Sequence, residues 1–527
     1  MKKYAWLLLP LSGVLMGLCL AFPVLGVLEW IAMVPALLFL FTVAPKREIG
    51  YRRLYLFGFC YYFFFYLTSL HWFLNLYPME FLGVSRGEAV MLVAVCWVGL
   101  TLLQTIFAAL VFPFFGRLCR TKTIEKFPLL LPLLFAAQYV IAEWSQTLTW
   151  LGVPWARLAL GQINYGFVTG SAALLGSYFI TLSLVLVNAY LAFLILHRRT
   201  LSRVRICAVI AAGVLVLQLG VGAVGHLMAN PDEGTPVVVA AVQGNVGSDL
   251  KWTANSRQKS YEIYEKYTAE AAARGAAFVV FPETFIPDEL TERTALGKFV
   301  QELAVKYGIT VFCGAFHTDE SGEYNAVFAV YPDGTIDENF YAKRHLVPFG
   351  EYVPWRPFIE VVFPMLADIG MLSEDLAPGT DSALFDTVDG KIGALLCFDS
   401  IYENLTRDSV RDGAELLILP TNDSWFTDSR GVYMHHAQAR LRAIESGRFI
   451  VRAADTGISA VISPDGESHA EQPPLVEGMA LYTATVRENV TLYTRIGNLL
   501  VGLLIAAVLA LSACEIVLWY KRRHNDD

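Results

Sequence analysis

Charge is scarce in this 527-residue chain: 17% of its residues are Asp, Glu, Lys or Arg, against 55% hydrophobic. Soluble domains carry about 25% charged residues, so the shortage excludes a wholly soluble chain and points to a membrane protein with a soluble part. CxxC pairs are missing among the eight cysteines, which argues against a zinc site or a redox pair. No basic block stands out and the net charge is −8, so no nucleic-acid partner is expected. Repeats and low-complexity segments are absent too. The start, Met1-Lys-Lys and an apolar run, imitates a signal peptide, but no small-residue cleavage site follows. It is expected to stay as a first membrane helix.

Long apolar runs are what the chain has instead. A membrane-spanning helix needs about 20 mostly apolar residues. Seven runs precede residue 230: 4–22, 25–43, 54–76, 89–115, 127–144, 170–196 and 206–228. An eighth covers 496–520. Their interiors are nearly free of charge. Lys46, Arg47, Arg52, Arg53, Arg117, Arg120, Lys122, Lys126, Arg198, Arg199, Arg203 and Arg205 fall in alternate loops, and Lys521 to Arg523 follow the last run. The positive-inside rule then puts both termini in the cytoplasm and residues 229–495 outside it. The loop from Trp144 to Gly161 holds Trp150, Trp155 and Arg157. Its tryptophans suit interfacial anchoring, or a contribution to a site where lipid meets the soluble part.

The expected organisation is a polytopic α-helical membrane domain over 1–228, a linker at 229–236 and an α/β domain over 237–490. The eighth span at 496–520 and a cytoplasmic tail at 521–527 follow. Past the Pro- and Gly-bearing linker, strands are predicted at 237–242, 277–281, 310–316, 391–396, 416–419, 449–452 and 459–463. A hairpin of 325–331 with 336–342 is expected around Pro332-Asp-Gly334. Helices are predicted at 253–273, 291–307, 401–410 and 433–446. Strands with intervening helices suggest an α/β sandwich, sheets inside and helices outside.

Three stretches carry chemistry: Phe281-Pro-Glu283-Thr284, the run from Lys343 to Glu351, and Leu396-Cys397-Phe398-Asp399. All three are predicted to lie at strand ends, where sites gather in open α/β sheets. A free thiol, with a pKa near 8.5, needs a base or a cation to become a useful nucleophile. Glu283 supplies a base and Lys343 an ammonium for an oxyanion. A helix starting just after Cys397 is expected to favour its thiolate. Taken singly, each residue has a plainer reading: Glu283 as a helix cap, Lys343 as a solvated lysine, Glu351 as part of a polar loop, Cys397 as core. Cys313, in an apolar run, reads as core. His435 and His436 are adjacent, point to different faces of a helix, and so read as structural or interfacial rather than metal-binding.

Glu, then Lys, then Cys in an α/β domain of this size resembles the nitrilase superfamily, with its αββα sandwich. With the helices on either side, the whole chain resembles its membrane-bound branch, the bacterial apolipoprotein N-acyltransferases. The stretches that carry this are Gln243-Gly-Asn245 with Lys251-Trp252, Val347-Pro-Phe-Gly-Glu351-Tyr-Val-Pro354 and Thr421-Asn-Asp-Ser-Trp425-Phe426. Gln438 to Arg448, Asp455 to Gly466 and Leu151-Gly-Val-Pro-Trp155 match as well. Cys397-Phe398-Asp399 departs from the family's Cys-Tyr-Glu. The resemblance implies two-step acyl transfer from a membrane phospholipid to the N-terminal amine of an S-diacylglyceryl-cysteine apolipoprotein, through a thioester on Cys397. Glu283 would be the base. Lys343 and the Phe398 N–H would hold the oxyanion, and Glu351 would orient Lys343 or the amine. Trp252 would line the acyl or headgroup path, with Trp425, Trp155 and Asp399 in supporting positions. It implies no cofactor, a monomer, and a place in the bacterial inner membrane with the catalytic domain outside the cytoplasm.

Two rivals stay open: a membrane-tethered nitrilase-type hydrolase passing its acyl group to water, and a transporter or sensor with a binding domain. Helices almost free of interior charge argue against transport. Trp355, Phe358 and residues 361–366 suit an apolar arm dipping into lipid, or else core packing.

Overall fold

The computed structural model describes residues 4–78, 84–149, 152–247, 251, 254–362 and 374–525. The chain divides into two compact units: Met1–His71, Ala94–Met228 and Ile496–Asp527 form one, and Trp72–Val93 with Ala229–Arg495 the other. The expected membrane domain of 1–228 is therefore interrupted, because Trp72–Val93 packs with the α/β unit.

All eight apolar runs are helical, and among the described residues six helices are long and apolar enough to span a bilayer. These are Pro23–Val43, Arg86–Cys119, Pro128–Ser145, Ser177–Leu196, Leu201–Met228 and Leu499–Leu518. Ala5–Ala21 is shorter. Tyr51–Ser69 has the length, but its tyrosines and arginines hold its hydropathy down. The run at 170–196 is not one helix: Gly176, at φ 78°, separates a short turn of helix from Ser177–Leu196. A Gly tolerates that backbone where other residues do not.

Among the described residues, the α/β unit contains two six-stranded sheets. Its strands are β1 (Thr235–Gln243), β2 (Phe278–Val280), β3 (Thr310–Asp319), β4 (Gly322–Val330), β5 (Tyr341–Ala342), β6 (Leu384–Thr387), β7 (Gly390–Ala394), β8 (Leu416–Thr421), β9 (Ile450–Ala454), β10 (Ser459–Ile462), β11 (Ser468–Gln472) and β12 (Gly478–Val486). One sheet runs β12-β1-β2-β3-β4-β5 and the other β11-β10-β9-β8-β7-β6. Alternation along β1 shows why they stack. Val239 and Ala241 face the core between the sheets, with Phe312, Ile392 and Ile418. Ala240 and Val242 face the outer core with Tyr264 and Val300, on helices α1 (Ala254–Ala273) and α2 (Ala295–Tyr307). That period of two is the pleat of a strand covered on both faces. Helices α3 (Glu403–Asp412) and α4 (Arg430–Ser446) follow β7 and β8.

The predicted hairpin of 325–331 with 336–342 forms with an interrupted ladder: Val330 bridges Ile336, and β4 pairs antiparallel with the two-residue β5, Ala326↔Ala342 and Val327↔Tyr341. A longer hairpin, β3–β4, was not foreseen; it runs in register from Val311↔Val330 to Asp319↔Gly322. Strands β6, β11 and β12 were also missed, and β12 pairs with β1 over its whole length.

Candidate active site

Three loops at strand ends converge. β2 ends at Val280, and Phe281-Pro282 carries the chain to Glu283. A Cβ on Gly314 of β3 would lie 2.7 Å from the Glu283 Cα, so only a glycine lets this loop sit down on the sheet. Lys343 follows β5, its N–H donating to the Asn325 carbonyl at 2.8 Å and its own carbonyl accepting from Gly379 N at 2.8 Å. Cys397 follows β7 by way of Leu395-Leu396, with φ at +51°. All three side chains are buried.

Their polar atoms meet. Lys343 Nζ lies 2.8 Å from Glu283 Oε1 and 2.9 Å from the Glu351 carboxylate. Two of its three protons are thus committed and one is left for another acceptor. Asn325 Nδ2 donates to both Glu283 Oε1 and Glu351 Oε1, each at 2.7 Å. Glu351 is held in turn by the Val347 N–H at 2.8 Å. Glu283 Oε2 accepts the Asn422 N–H at 2.8 Å. The Cys397 thiol neighbours the Glu283 carboxylate and interacts with it electrostatically, and its Sγ lies 3.9 Å from the Asn422 carbonyl.

These contacts set the resting protonation. Burial pushes against charge on Glu283, but the Lys343 ammonium, with hydrogen bonds from Lys343 and Asn325, outweighs it and holds the carboxyl below its ordinary range. Burial also opposes the Lys343 ammonium, yet Glu283 and Glu351 raise it well above the ordinary lysine value. Burial first, then the Glu283 charge, drive the Cys397 thiol well above its ordinary value, and Lys343 only partly offsets them. The site therefore rests as thiol, carboxylate and ammonium. This corrects the expectation of a thiolate favoured by a helix end: a 3-10 turn, Cys397–Ile401, intervenes, and the helix begins only at Glu403. A base must take the thiol proton as it attacks, and Glu283 is in contact to do so.

The remaining candidates fall at varying distances from this centre. Asp399 is fully buried and turns away from the thiol: it accepts from Tyr341 Oη (2.8 Å), the His345 N–H (2.8 Å) and the Arg344 N–H (3.4 Å). Phe398 packs edge-on against Tyr402 at 5.7 Å. Trp425 is half-buried on the turn Ser424–Phe426, three residues past Asn422. Trp155 is buried in the other unit. Trp252 lies outside the described residues, as do Trp150 and the arm beyond residue 362. In the described part of the arm, Trp355 and, on helix Arg356–Val362, Phe358 and Val361 are 64%, 56% and 80% exposed, so core packing is ruled out for these three.

Sequence reasoning passed over Asn325, which like Lys343 touches both carboxylates, although a lone amide inside the apolar run of β4 was a usable signal. It used Lys251 only as part of a motif. The Lys251 ammonium pairs with buried Asp455 at 2.6 Å and donates to the carbonyls of Glu283 (3.3 Å) and Thr284 (3.2 Å), pinning the loop that carries the base.

Residues 238–494 match the family model described as carbon-nitrogen hydrolase, and residues 12–190 match the apolipoprotein N-acyltransferase N-terminal domain. The chain is 30% identical to an apolipoprotein N-acyltransferase of Geobacter metallireducens over 96% of its own length and 94% of the relative's. It is also 30% identical to one from Gloeobacter violaceus, over 92% and 89%. Among solved structures, Saccharomyces cerevisiae Nit3, a member of branch 10 of the nitrilase superfamily, is similar at 22% identity and a TM-score of 0.38, over 48% of this chain and 90% of that one.

Proposed function

The chain belongs to the apolipoprotein N-acyltransferase family, and on that premise we propose the route by which this multi-pass membrane enzyme acylates its lipoprotein substrate. The acyl donor is a membrane phospholipid. Glu283 takes the Cys397 proton as sulfur attacks the donor's ester carbonyl. The free proton of Lys343 meets the oxyanion, helped by the Phe398 N–H. Collapse breaks the C–O bond, Glu283 returns the proton to the leaving alkoxide, and a lysophospholipid departs. The N-terminal amine of an S-diacylglyceryl-cysteine apolipoprotein then attacks the thioester and gives its proton to Glu283. The C–S bond breaks, the sulfur is reprotonated, and an amide forms. Glu351 and Asn325 hold Lys343 and Glu283 in register through both halves.

The observation that carries this reading is the contact of Lys343 and Cys397 with the same Glu283 carboxylate inside a buried site. One base serving two half-reactions requires that proximity.

Both substrates are lipid-anchored. Pulling a sixteen-carbon chain out of the bilayer costs roughly 12 kcal/mol at about 0.8 kcal/mol per CH₂. A catalytic unit at the outer surface of the inner membrane avoids most of that, and exposed Trp355, Phe358 and Val361 suit contact with lipid. Eight spans, with Ala5–Ala21 and Tyr51–Ser69 added to the six, and the positive-inside pattern support this placement. We take the enzyme to act as a monomer.

The test is a phospholipid assay with and without a diacylated peptide. Lysophospholipid release that rises with acceptor, with acyl amide as product, supports transfer. Acceptor-independent release with free fatty acid accumulating overturns it in favour of a hydrolase.

A further inference from the structure

Behind the nucleophile lies a buried line of side chains that the acyl-transfer chemistry does not use. His435, on α4, has Nε2 3.2 Å from the Cys397 carbonyl oxygen and Nδ1 toward the Asp423 carboxylate; both oxygens only accept, so the ring bridges them with a donor at each nitrogen. Ser400 Oγ donates to the same carbonyl at 2.8 Å and lies 3.1 Å from His435 Nε2. On its other side, His435 Nδ1 is 2.8 Å from Asp423 Oδ1, and Arg452 Nη2 donates to Asp423 Oδ2 at 2.7 Å. His435, Asp423 and Arg452 are at most 1% exposed. A Cβ on Gly457 would fall 2.1 Å from Asp423 Oδ2, so a glycine there is a condition of the arrangement.

Two features tie this line to the reacting atoms rather than to packing alone. Cys397 holds a left-handed backbone, φ +51°, which a residue with a Cβ adopts only where its surroundings impose it. Its carbonyl is where Ser400 and His435 meet that backbone. In addition, Asp423 directly follows Asn422, whose N–H meets Glu283 and whose carbonyl meets the Cys397 thiol. One dipeptide therefore registers the base through Asn422 and the nucleophile's main chain through Asp423 and His435. Phe426 packs edge-on to His435 at 6.0 Å and is itself met edge-on by Trp72 at 4.9 Å.

We propose that His435 is a positioning residue for the nucleophile: tethered by Asp423 and Arg452, it fixes the Cys397 peptide and so aims the thiol at Glu283. This rests on the reading of Cys397 as nucleophile. It makes no contact with substrate and is not a catalytic residue.

The experiment measures thioester formation on the full-length enzyme in phospholipid nanodiscs by rapid-quench intact mass, for His435→Leu, His435→Gln and Cys397→Ala. Glutamine keeps an N–H near the position of Nε2, and leucine keeps bulk alone. The leucine variant is expected to form thioester about 30-fold or more slowly, with the donor concentration at half-maximal rate unchanged. The glutamine variant is expected to recover to within about fivefold of wild type. A leucine variant at wild-type rate, or a glutamine variant equally impaired at an unchanged melting temperature, overturns the proposal. Should the leucine variant not fold, Asp423→Asn decides: slowed thioester formation at unchanged half-saturation supports it, and the wild-type rate overturns it. Acyl transfer surviving in Cys397→Ala would instead overturn the nucleophile assignment itself.

Discussion

Asp399 accepts the His345 backbone N–H at 2.8 Å, so the carboxylate two residues after Cys397 fixes the main chain two residues after Lys343. Nucleophile turn and lysine loop are thereby locked to each other without contact between Asp399 and either reacting side chain. The shorter acid in Cys-Phe-Asp reaches that loop, and the Tyr341 hydroxyl, at 2.8 Å, closes the space below it.

Burial raises the Asp399 carboxyl from 3.8 to about 6, against its hydrogen bonds. The folded state therefore binds the proton more tightly than the unfolded chain. This contribution is full below pH 3.8 and is lost as pH rises through about 6, a difference of about 3 kcal/mol. Asp399→Asn, which does not titrate, is expected to gain in melting temperature relative to wild type between pH 4 and pH 7.5. A constant offset across that range contradicts this assignment.

Glu283→Gln keeps the shape of the base and removes its proton affinity. Thioester formation is expected to fall by about 10³-fold or more, with phospholipid binding retained. Lys343→Met is expected to lose about 10² to 10³ through the oxyanion. Rapid-quench mass spectrometry reads both.

Because Lys343 holds Glu283 ionised below the ordinary carboxyl value of 4.5, wild-type thioester formation is not expected to be limited by this base until pH falls below that value. Asn325→Asp replaces the amide donor 2.7 Å from Glu283 with a third carboxylate. Like charge raises the pKa of the base. The acid limb of the pH–rate profile is expected to move up by about one unit or more. An unmoved limb counts against Glu283 as the titrating group.

Gly314→Ala places a methyl 2.7 Å from the Glu283 Cα and 2.9 Å from the Pro282 carbonyl. Both neighbours are backbone, so the loop must shift. Stability is expected to drop by about 1–3 kcal/mol, with activity falling further than stability accounts for. Urea unfolding and the transfer assay separate the two.

Much of this site was legible in the sequence because each reacting residue ends an apolar strand, and strands announce themselves by their side chains. Glu283, Lys343 and Cys397 could be listed for that reason, and Glu351 by its place eight residues after Lys343. What stayed hidden depends on long-range register. Asn325 acts from mid-strand, Asp455 meets Lys251 from across the sheets, and β12 reveals itself only by pairing with β1. The thiol's protonation was misjudged because burial, which decides it, is invisible in a sequence. The third apolar run gave no hint that Trp72, near its end, belongs with the α/β unit.

The most direct measurement is the intact mass of the purified enzyme after incubation with phospholipid and no acceptor, followed by peptide mapping. A single acyl chain on Cys397, cleaved by hydroxylamine and discharged by a diacylated peptide, is the expected result. An unmodified enzyme that still transfers acyl groups, or an adduct on any other residue, contradicts it.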